Sequence, residues 1–414
     1  MNDYRALGEA AWAWVLEQVR SADGPWLPTT VPGDMADDRD SLYAGIAGLA
    51  PVLAEIRQYR ALTAAEEDLA AGIVARLSRE VPSRTDVSLY DGLAGDVTAL
   101  RLLAPGSEAV AVARILSLPS PEYHDIISGT AGVLLTLSWL GLGRPSAAAA
   151  LAEAGDEAEG GLDWRMKPGY PSSSPNFSHG TAGVAAALAL AGRTDAARRG
   201  AEHLLAIADL SGGGFVVEHT IPRSKREVEP VTFTWCHGPA GTSHVFAALA
   251  RAGVPSVGDH TVADLRRRCL HSTLTSGIPQ RLRPGFWDND GRCCGTAGVG
   301  DILLDAAQSL GDAEYLDGAR TMGDALVSRA VDGRYWRFIE YRIEEPLLPP
   351  GTTWMQGAAG IAAFLLRLAR VSQDGLSAPV VDRPDQYFAV PDELRVSLRG
   401  LPGSTTPAGP ARPA

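Results

Sequence analysis

One short pattern, G-x-x-G, recurs seven times along the chain and constrains the fold more than any other feature. It occurs in "SLYAGIAGL" at 41–49, "SLYDGLAGD" at 88–96, "DIISGTAGV" at 125–133 and "NFSHGTAGV" at 176–184. "TWCHGPAGT" at 234–242, "RCCGTAGVG" at 292–300 and "WMQGAAGIA" at 354–362 complete the series. The leading glycines are Gly45, Gly92, Gly129, Gly180, Gly238, Gly295 and Gly357, separated by 47, 37, 51, 58, 57 and 62 residues. Each interval holds two helices with their connections, so one repeat leaves a helix face bare and must stack on its neighbours.

The helices on either side of the turns differ in character. Runs such as "VLLTLSWLGLG", "VAAALALAGR" and "IAAFLLRLAR" follow the third, fourth and seventh turns and are apolar on almost every face, which marks buried helices. Stretches such as 62–81, 193–210 and 314–331 carry charge on one face and aliphatics at three- and four-residue steps. "YRALGEAAWAWVLEQVR", of this second type, precedes the first turn. A stack of seven such pairs has two exposed ends, and closing it into a ring removes them. The expected fold is all-α: an α/α toroid of seven inner and seven outer helices, with every glycine turn on one rim. Short β hairpins are expected in the longer connections, at 213–222 and 333–344. Residues 1–375 are expected to form this single domain, and the polar, proline-containing 376–414 an extended, partly disordered tail.

Hydrophobic residues make up 45% of the chain and charged ones 21%, enough apolar content for a large core. A net charge of −12 argues against a nucleic-acid partner. No apolar run reaches the ~18–20 residues of a membrane span. Asp3, Glu9 and Glu17 are out of place in a secretory signal. Four cysteines are too few for a disulfide scaffold, so a cytoplasmic location with reduced thiols is expected.

Three of those cysteines, Cys236, Cys293 and Cys294, stand directly before the glycines of the fifth and sixth turns. On a closed rim these turns are neighbours, and adjacent thiols in a reducing compartment point to a metal. Three ligands with a fourth position open is the pattern of a catalytic zinc site, whereas structural zinc takes four. Cys269, in the amphipathic "VADLRRRCLHSTL", reads as a structural thiol. His237 has two readings, a fourth ligand that closes the site or a cavity residue acting as acid or hydrogen bonder; the open mouth favours the second. His124 and Asp91 read as rim polar residues, and Trp235, Trp287, Trp336 and Trp354 as core aromatics near the mouth.

The seven turns together with "WCHG" and "CCG" resemble the lanthionine synthetase C family, the LanC cyclases and LanC-like proteins, over roughly residues 1–370. The resemblance implies an α/α toroid holding one Zn²⁺ that adds cysteine thiols of a precursor peptide to dehydroalanine or dehydrobutyrine. It places the W-C-x-G cysteine on Cys236. The family's usual C-H-G motif reads "CCG" here, which puts two ligands on Cys293 and Cys294, as in the three-cysteine members. It also implies that His179, in "NFSHGTAG", is the catalytic histidine and Asp125, in "HDIISGTAG", the catalytic aspartate. The basic residue that many members carry shortly before W-C has no counterpart in "EPVTFTWC".

The residue types suit that chemistry. A free cysteine with pKa ~8.5 is only slightly ionised at neutral pH, and the thiolate is the nucleophile. Three protein thiolates make a zinc site electron-rich, better matched to thiol transfer than to water activation. A histidine with an unperturbed pKa near ~6.5 can protonate the enolate that follows addition. The expected substrate is a dehydrated lanthipeptide precursor. Because no kinase-like region with a Gly-rich loop and an H-R-D motif precedes the toroid, a separate dehydratase or kinase/lyase enzyme is the expected partner. The alternatives are a transferase of glutathione or another small thiol onto dehydroamino acids, and a non-catalytic, zinc-containing peptide-binding scaffold. An α/α-barrel glycosidase would need paired rim carboxylates in place of cysteines.

Overall fold

The computed structural model describes residues 3–223, 229–280, 289–340 and 344–396. Fourteen α-helices alternate between two layers among these residues. The outer layer consists of α1 (Tyr4–Gln18), α3 (Ala64–Glu80), α5 (Ala109–Ser117), α7 (Pro145–Glu153), α9 (Thr194–Ile207), α11 (Val262–Leu274) and α13 (Ala313–Arg329). The inner layer consists of α2 (Ala50–Ile56), α4 (Leu93–Leu103), α6 (Thr130–Trp139), α8 (Thr181–Leu190), α10 (Pro239–Arg251), α12 (Thr296–Leu310) and α14 (Ala358–Asp374). Each inner helix packs on the next, and α14 packs back on α2, so the ring is closed. The chain makes this closure with its ends, since α1 lies against α14.

Sequence dictates the layers. In α8 every residue from Thr181 to Ala189 is buried, as an all-apolar helix requires. In α9 only the stripe Ala197, Gly200, Ala201, His203 and Leu204 is buried. The outer helix α3 starts at a capping box, with Thr63 and Glu66 each accepting from the other's backbone N–H. Glu66 also accepts from Trp12 Nε1 at 2.7 Å, tying α3 to α1.

The rim explains the repeat. Six inner helices start immediately after a leading glycine, and the first starts with a 3₁₀ turn, Ile46–Leu49, after Gly45. The residues just before these glycines pass hydrogen bonds from turn to turn around the axis. Tyr43 N–H donates to Tyr90 O at 3.1 Å, Tyr90 N–H to Ile127 O at 3.3 Å, and Ile126 N–H to Ser178 O at 3.3 Å. Ser178 N–H donates to Cys236 O at 2.9 Å, Cys236 N–H to Cys293 O at 3.2 Å, and Cys293 N–H to Met355 O at 2.9 Å. Met355 N–H returns to Tyr43 O at 3.2 Å, which completes the circuit. These buried polar groups are thereby satisfied, and the turns are locked at one height.

The second glycine of each turn makes this close approach possible. A Cβ on Gly241 would sit 1.8 Å from Trp235 O and 2.9 Å from Phe177 Cβ of the preceding turn. At the closure, a Cβ on Gly48 would sit 2.7 Å from Trp354 Cβ of the seventh turn. The small residue is required for space.

Two expectations need correction. The two-stranded hairpins lie at 20–26, 156–163 and 256–261, whereas 213–222 and 333–340 carry only isolated bridges, such as Asp209 with Val216 and Ile339 with Leu347. Part of the second segment, 341–343, lies outside the described residues. The start of the expected tail is not extended. Residues from Ala378 to Val390 are largely buried, meeting Trp139 of α6 and Gln308 of α12 and reaching Tyr90 and Arg292 of the rim turns through Asp385. Trp139 Nε1 donates to Asp382 at 2.9 Å and Gln308 Nε2 to Ala378 O at 2.8 Å, which is why this polar stretch packs. The rest of the tail, 397–414, lies outside the described residues. No helix among the described residues is long and apolar enough to cross a membrane.

Candidate functional site

The locked rim brings the side chains that precede the glycines into one ring. Tyr43, Asp91, Ile127, Ser178, His179, Cys236, His237, Cys293, Cys294 and Gln356 line a cavity of about 340 Å³. A larger recess of about 970 Å³ lies at the opposite ends of α6, α8 and α10 and holds none of these groups.

Cys236, Cys293 and Cys294 are all buried, and their sulfur atoms lie within 4.8 Å of one another. The Cys236 and Cys294 sulfurs are 3.5 Å apart. That spacing matches the edge of about 3.8 Å in a tetrahedron with Zn–S bonds of about 2.3 Å. The donor set is soft, thiolate-forming and confined to two adjacent turns, so the residues fit a zinc ion. Burial pushes the Cys236 and Cys294 thiols up, while hydrogen bonds from those two sulfurs pull Cys293 down. A bound cation would offset that burial penalty and favour the deprotonated form of all three. Cys269 is fully buried in α11 and is not part of the cluster.

The histidine and aspartate come together on the same rim. His179 Nδ1 is 2.7 Å from Asp125 Oδ2, and Asp125 Oδ1 accepts from Ser128 N–H at 2.9 Å. Asp125 is 1% exposed, while the His179 side chain keeps 29% of its surface open to the cavity. A buried carboxylate fixed by an amide sets the imidazole tautomer, with Nδ1–H toward Asp125 and Nε2 as the second functional nitrogen. His237 lies on the adjoining wall, its ring 5.6 Å from that of His179 and 3.9 Å from that of His219. Burial drives the His237 imidazole well below its ordinary pKa, with His219 and His179 adding to the effect. His237 is outside the sulfur cluster.

The remaining polar and aromatic residues separate clearly. Asp91 faces the cavity, and His124 turns away from it to hydrogen-bond Arg165 O at 2.9 Å. Trp235 is buried, edge-on to Tyr90 and Phe177 at 5.9 and 5.7 Å. Trp336 and Trp354 are also buried, and Trp287 lies outside the described residues. Sequence reasoning passed over Tyr43, Thr234, His219 and Gln356. The signal was available for Tyr43 and Gln356, which occupy the same pre-glycine positions as Cys293 and Cys294 in the first and seventh turns.

Comparison with known proteins agrees with this geometry. The family described as "Lanthionine synthetase C-like protein" matches residues 36–378. The solved structure titled "Nisin cyclase" is similar over 88% of this chain and 93% of that one, with a TM-score of 0.57 at 15% identity, so the two share a fold. No curated protein matches the chain. With the family match spanning most of its length, the seven-turn rim and the cysteine motifs within it, this chain belongs to the lanthionine synthetase C-like family.

Proposed function

We propose that the protein is a peptide cyclase: it adds cysteine thiols of a dehydrated precursor to dehydroalanine or dehydrobutyrine in the same peptide, closing lanthionine or methyllanthionine rings. One observation carries this reading. The cavity that holds three clustered sulfurs also exposes an imidazole backed by a buried carboxylate. Cys236, Cys293 and Cys294 would hold one Zn²⁺, which when bound supplies a cation that keeps thiols deprotonated at neutral pH and leaves a position for one more sulfur.

The other steps belong to the chain's own groups. Neutral His179 takes the thiol proton at Nε2, and Asp125 stabilises the resulting imidazolium through Nδ1–H. The sulfur pair forms a C–S bond at the alkene Cβ while the π electrons move to the carbonyl oxygen as an enolate. His179 then returns the proton to Cα. The balance is S–H added across C=C, with no oxidant and no change of mass. Proton transfer by such a positioned group contributes about 10²–10⁴ in rate. His237, on the adjoining wall, is placed to hydrogen-bond the peptide during this sequence.

This chemistry starts from an existing alkene, so Ser and Thr dehydration is assigned to a separate dehydratase or kinase/lyase partner. The cytoplasm, where the four free thiols stay reduced, is the proposed compartment. The test is incubation with a dehydrated, cysteine-containing peptide in the presence of glutathione. Loss of peptide thiol without mass change supports ring closure. A glutathione mass increment would replace the reading with small-thiol transfer, and binding with neither change would reduce the protein to a scaffold.

A further inference from the structure

Two of the three clustered sulfurs have a polar neighbour of their own. Thr234 Oγ1 lies 3.4 Å from Cys236 Sγ, and Gln356 Nε2 donates to Cys294 Sγ at 3.2 Å. Tyr43 lines the same cavity as Cys293. The direction of these bonds is set by their surroundings. Gln356 Nε2 also donates to the Tyr43 oxygen at 3.2 Å, and Asn289 Nδ2 donates to Gln356 Oε1 at 3.4 Å. The Tyr43 oxygen thus accepts from the Gln356 amide and fixes it beside the cluster. The amide has two protons, one for Tyr43 and one for Cys294, and the Thr234 hydroxyl has one. All of these donor protons are therefore committed to resident sulfurs or to the group that serves them.

This arrangement bears on a problem specific to the proposed chemistry, on which the inference rests for the identity of the electrophile. The sulfurs nearest to an incoming dehydroamino acid are the protein's own. Any of them that added to the alkene would form a stable thioether and be lost. A hydrogen bond to a thiolate stabilises the anion, and thiolate nucleophilicity falls with basicity. We infer that Thr234 and Gln356 protect the resident cysteines, holding Cys236 and Cys294 below the reactivity of the peptide thiol, for which no donor proton of the two remains. The donors come from the fifth and seventh turns, and Tyr43 of the first turn anchors the Gln356 amide, so protection of Cys294 is assembled across the seam where the ring closes.

The test exposes the full-length, zinc-reconstituted protein to a small electrophile, N-acetyldehydroalanine methyl ester, and maps adducts by peptide mass spectrometry. Gln356→Leu should raise the alkylation rate at Cys294, and Thr234→Val that at Cys236, each about tenfold or more. The other two clustered cysteines should change less in each variant. Cys269, buried in α11, reports loosening of the fold, because only a partly unfolded chain exposes it. If Gln356→Leu alkylates Cys269 as well, Thr234→Val, which exchanges a hydroxyl for a methyl, becomes the deciding variant. Native-like rates at Cys236 in that variant, or equal rises at all three sulfurs, overturn the inference. Ring closure is measured separately: site-specific alkylation without thioether formation in a peptide would keep the protection and sink the cyclase proposal.

Discussion

His179 and Asp91 occupy the same place in two different turns, directly before the leading glycine, yet their surroundings differ. Asp125 accepts from His179 at 2.7 Å, the pairing on which the proposed proton transfer rests. His179→Ala should therefore lower ring formation by about 10²–10⁴ while metal content and melting temperature stay near native; unchanged turnover of a dehydrated peptide would refute the role. Asp91 receives no comparable support. Burial, with Asp86 and Asp38 close by, pushes its carboxyl up to about 6. An acid that binds its proton more tightly in the folded chain destabilises that chain as pH rises from the unfolded value near ~4 through the folded one. Asp91→Asn removes the penalty, so it should melt higher than the native protein at neutral pH and level with it near pH ~4. A gap that is the same at both values would show that the carboxyl is not strained. Both residues could be picked out from the motif alone, as could the three cysteines, because each breaks an otherwise apolar turn. Thr234 could not, since a threonine is unremarkable before a helix, and the equivalence of Tyr43 and Gln356 to Cys293 and Cys294 gains meaning only once the seventh turn is known to touch the first.

At the scale of elements, the glycine turn sets how closely one repeat can approach the next. The leading glycines have extended backbones that any residue adopts, for example φ −118° at Gly238, so torsion is not what they supply. Space is. A methyl group at Gly241 has Trp235 O at 1.8 Å and the Phe177 side chain at 2.9 Å, both in the rim that carries Cys236. Gly241→Ala should cost about 1–3 kcal/mol or more by overpacking and weaken metal retention, because Cys236 sits in the turn that must shift. Gly143, where the nearest atom to an added methyl is 3.9 Å away, provides the control and should accept alanine within about 0.5 kcal/mol. Equal denaturation midpoints for the two variants would refute the packing account. The helices themselves were readable from periodicity, and α3, α9 and α13 begin and end within about four residues of the amphipathic stretches that announce them. The β segments were not. In 213–222 and 333–340 the apolar side chains serve the core individually, with Phe215 fully buried and Trp336 donating to Leu326 O at 2.9 Å, so the alternation did not require a paired strand.

For the whole molecule, closing a ring leaves its axis to be filled, and here charge fills it. Asp301 and Asp305 of α12, Glu55 of α2 and Asp385 of the C-terminal segment meet Arg367 and Arg370 of α14, Arg292 of the sixth turn and Arg383. Four carboxylates thus face four guanidinium groups, all buried. Burial pushes Asp301 up, but Arg292, Arg367 and Arg383 outweigh it and hold that carboxyl well below the usual range. This balance is what draws 377–390 into the barrel. Composition could not reveal it, because Asp382, Arg383, Asp385 and Gln386 look like a solvated tail until their partners are found on helices and rim turns up to 295 residues away, as for Tyr90 of the second turn, which donates to Asp385 at 3.2 Å. Arg292 also stacks on Trp354 at 4.6 Å and immediately precedes Cys293, so the segment reaches the sulfur cluster through one side chain. Arg383→Met leaves one negative charge in excess in a water-poor axis, and breaking such a buried set costs about 3–5 kcal/mol. Arg320→Met, which removes an exposed pair with Asp317, should cost about 0–1 kcal/mol. Urea unfolding of the two variants separates the cases. Since Asp301 keeps its charge well into acid, the Arg383→Met deficit should persist from neutral pH down past ~4, whereas a deficit that vanished by that pH would mean that the segment is held by its apolar residues, Val380, Val381, Phe388 and Val390, and not by charge.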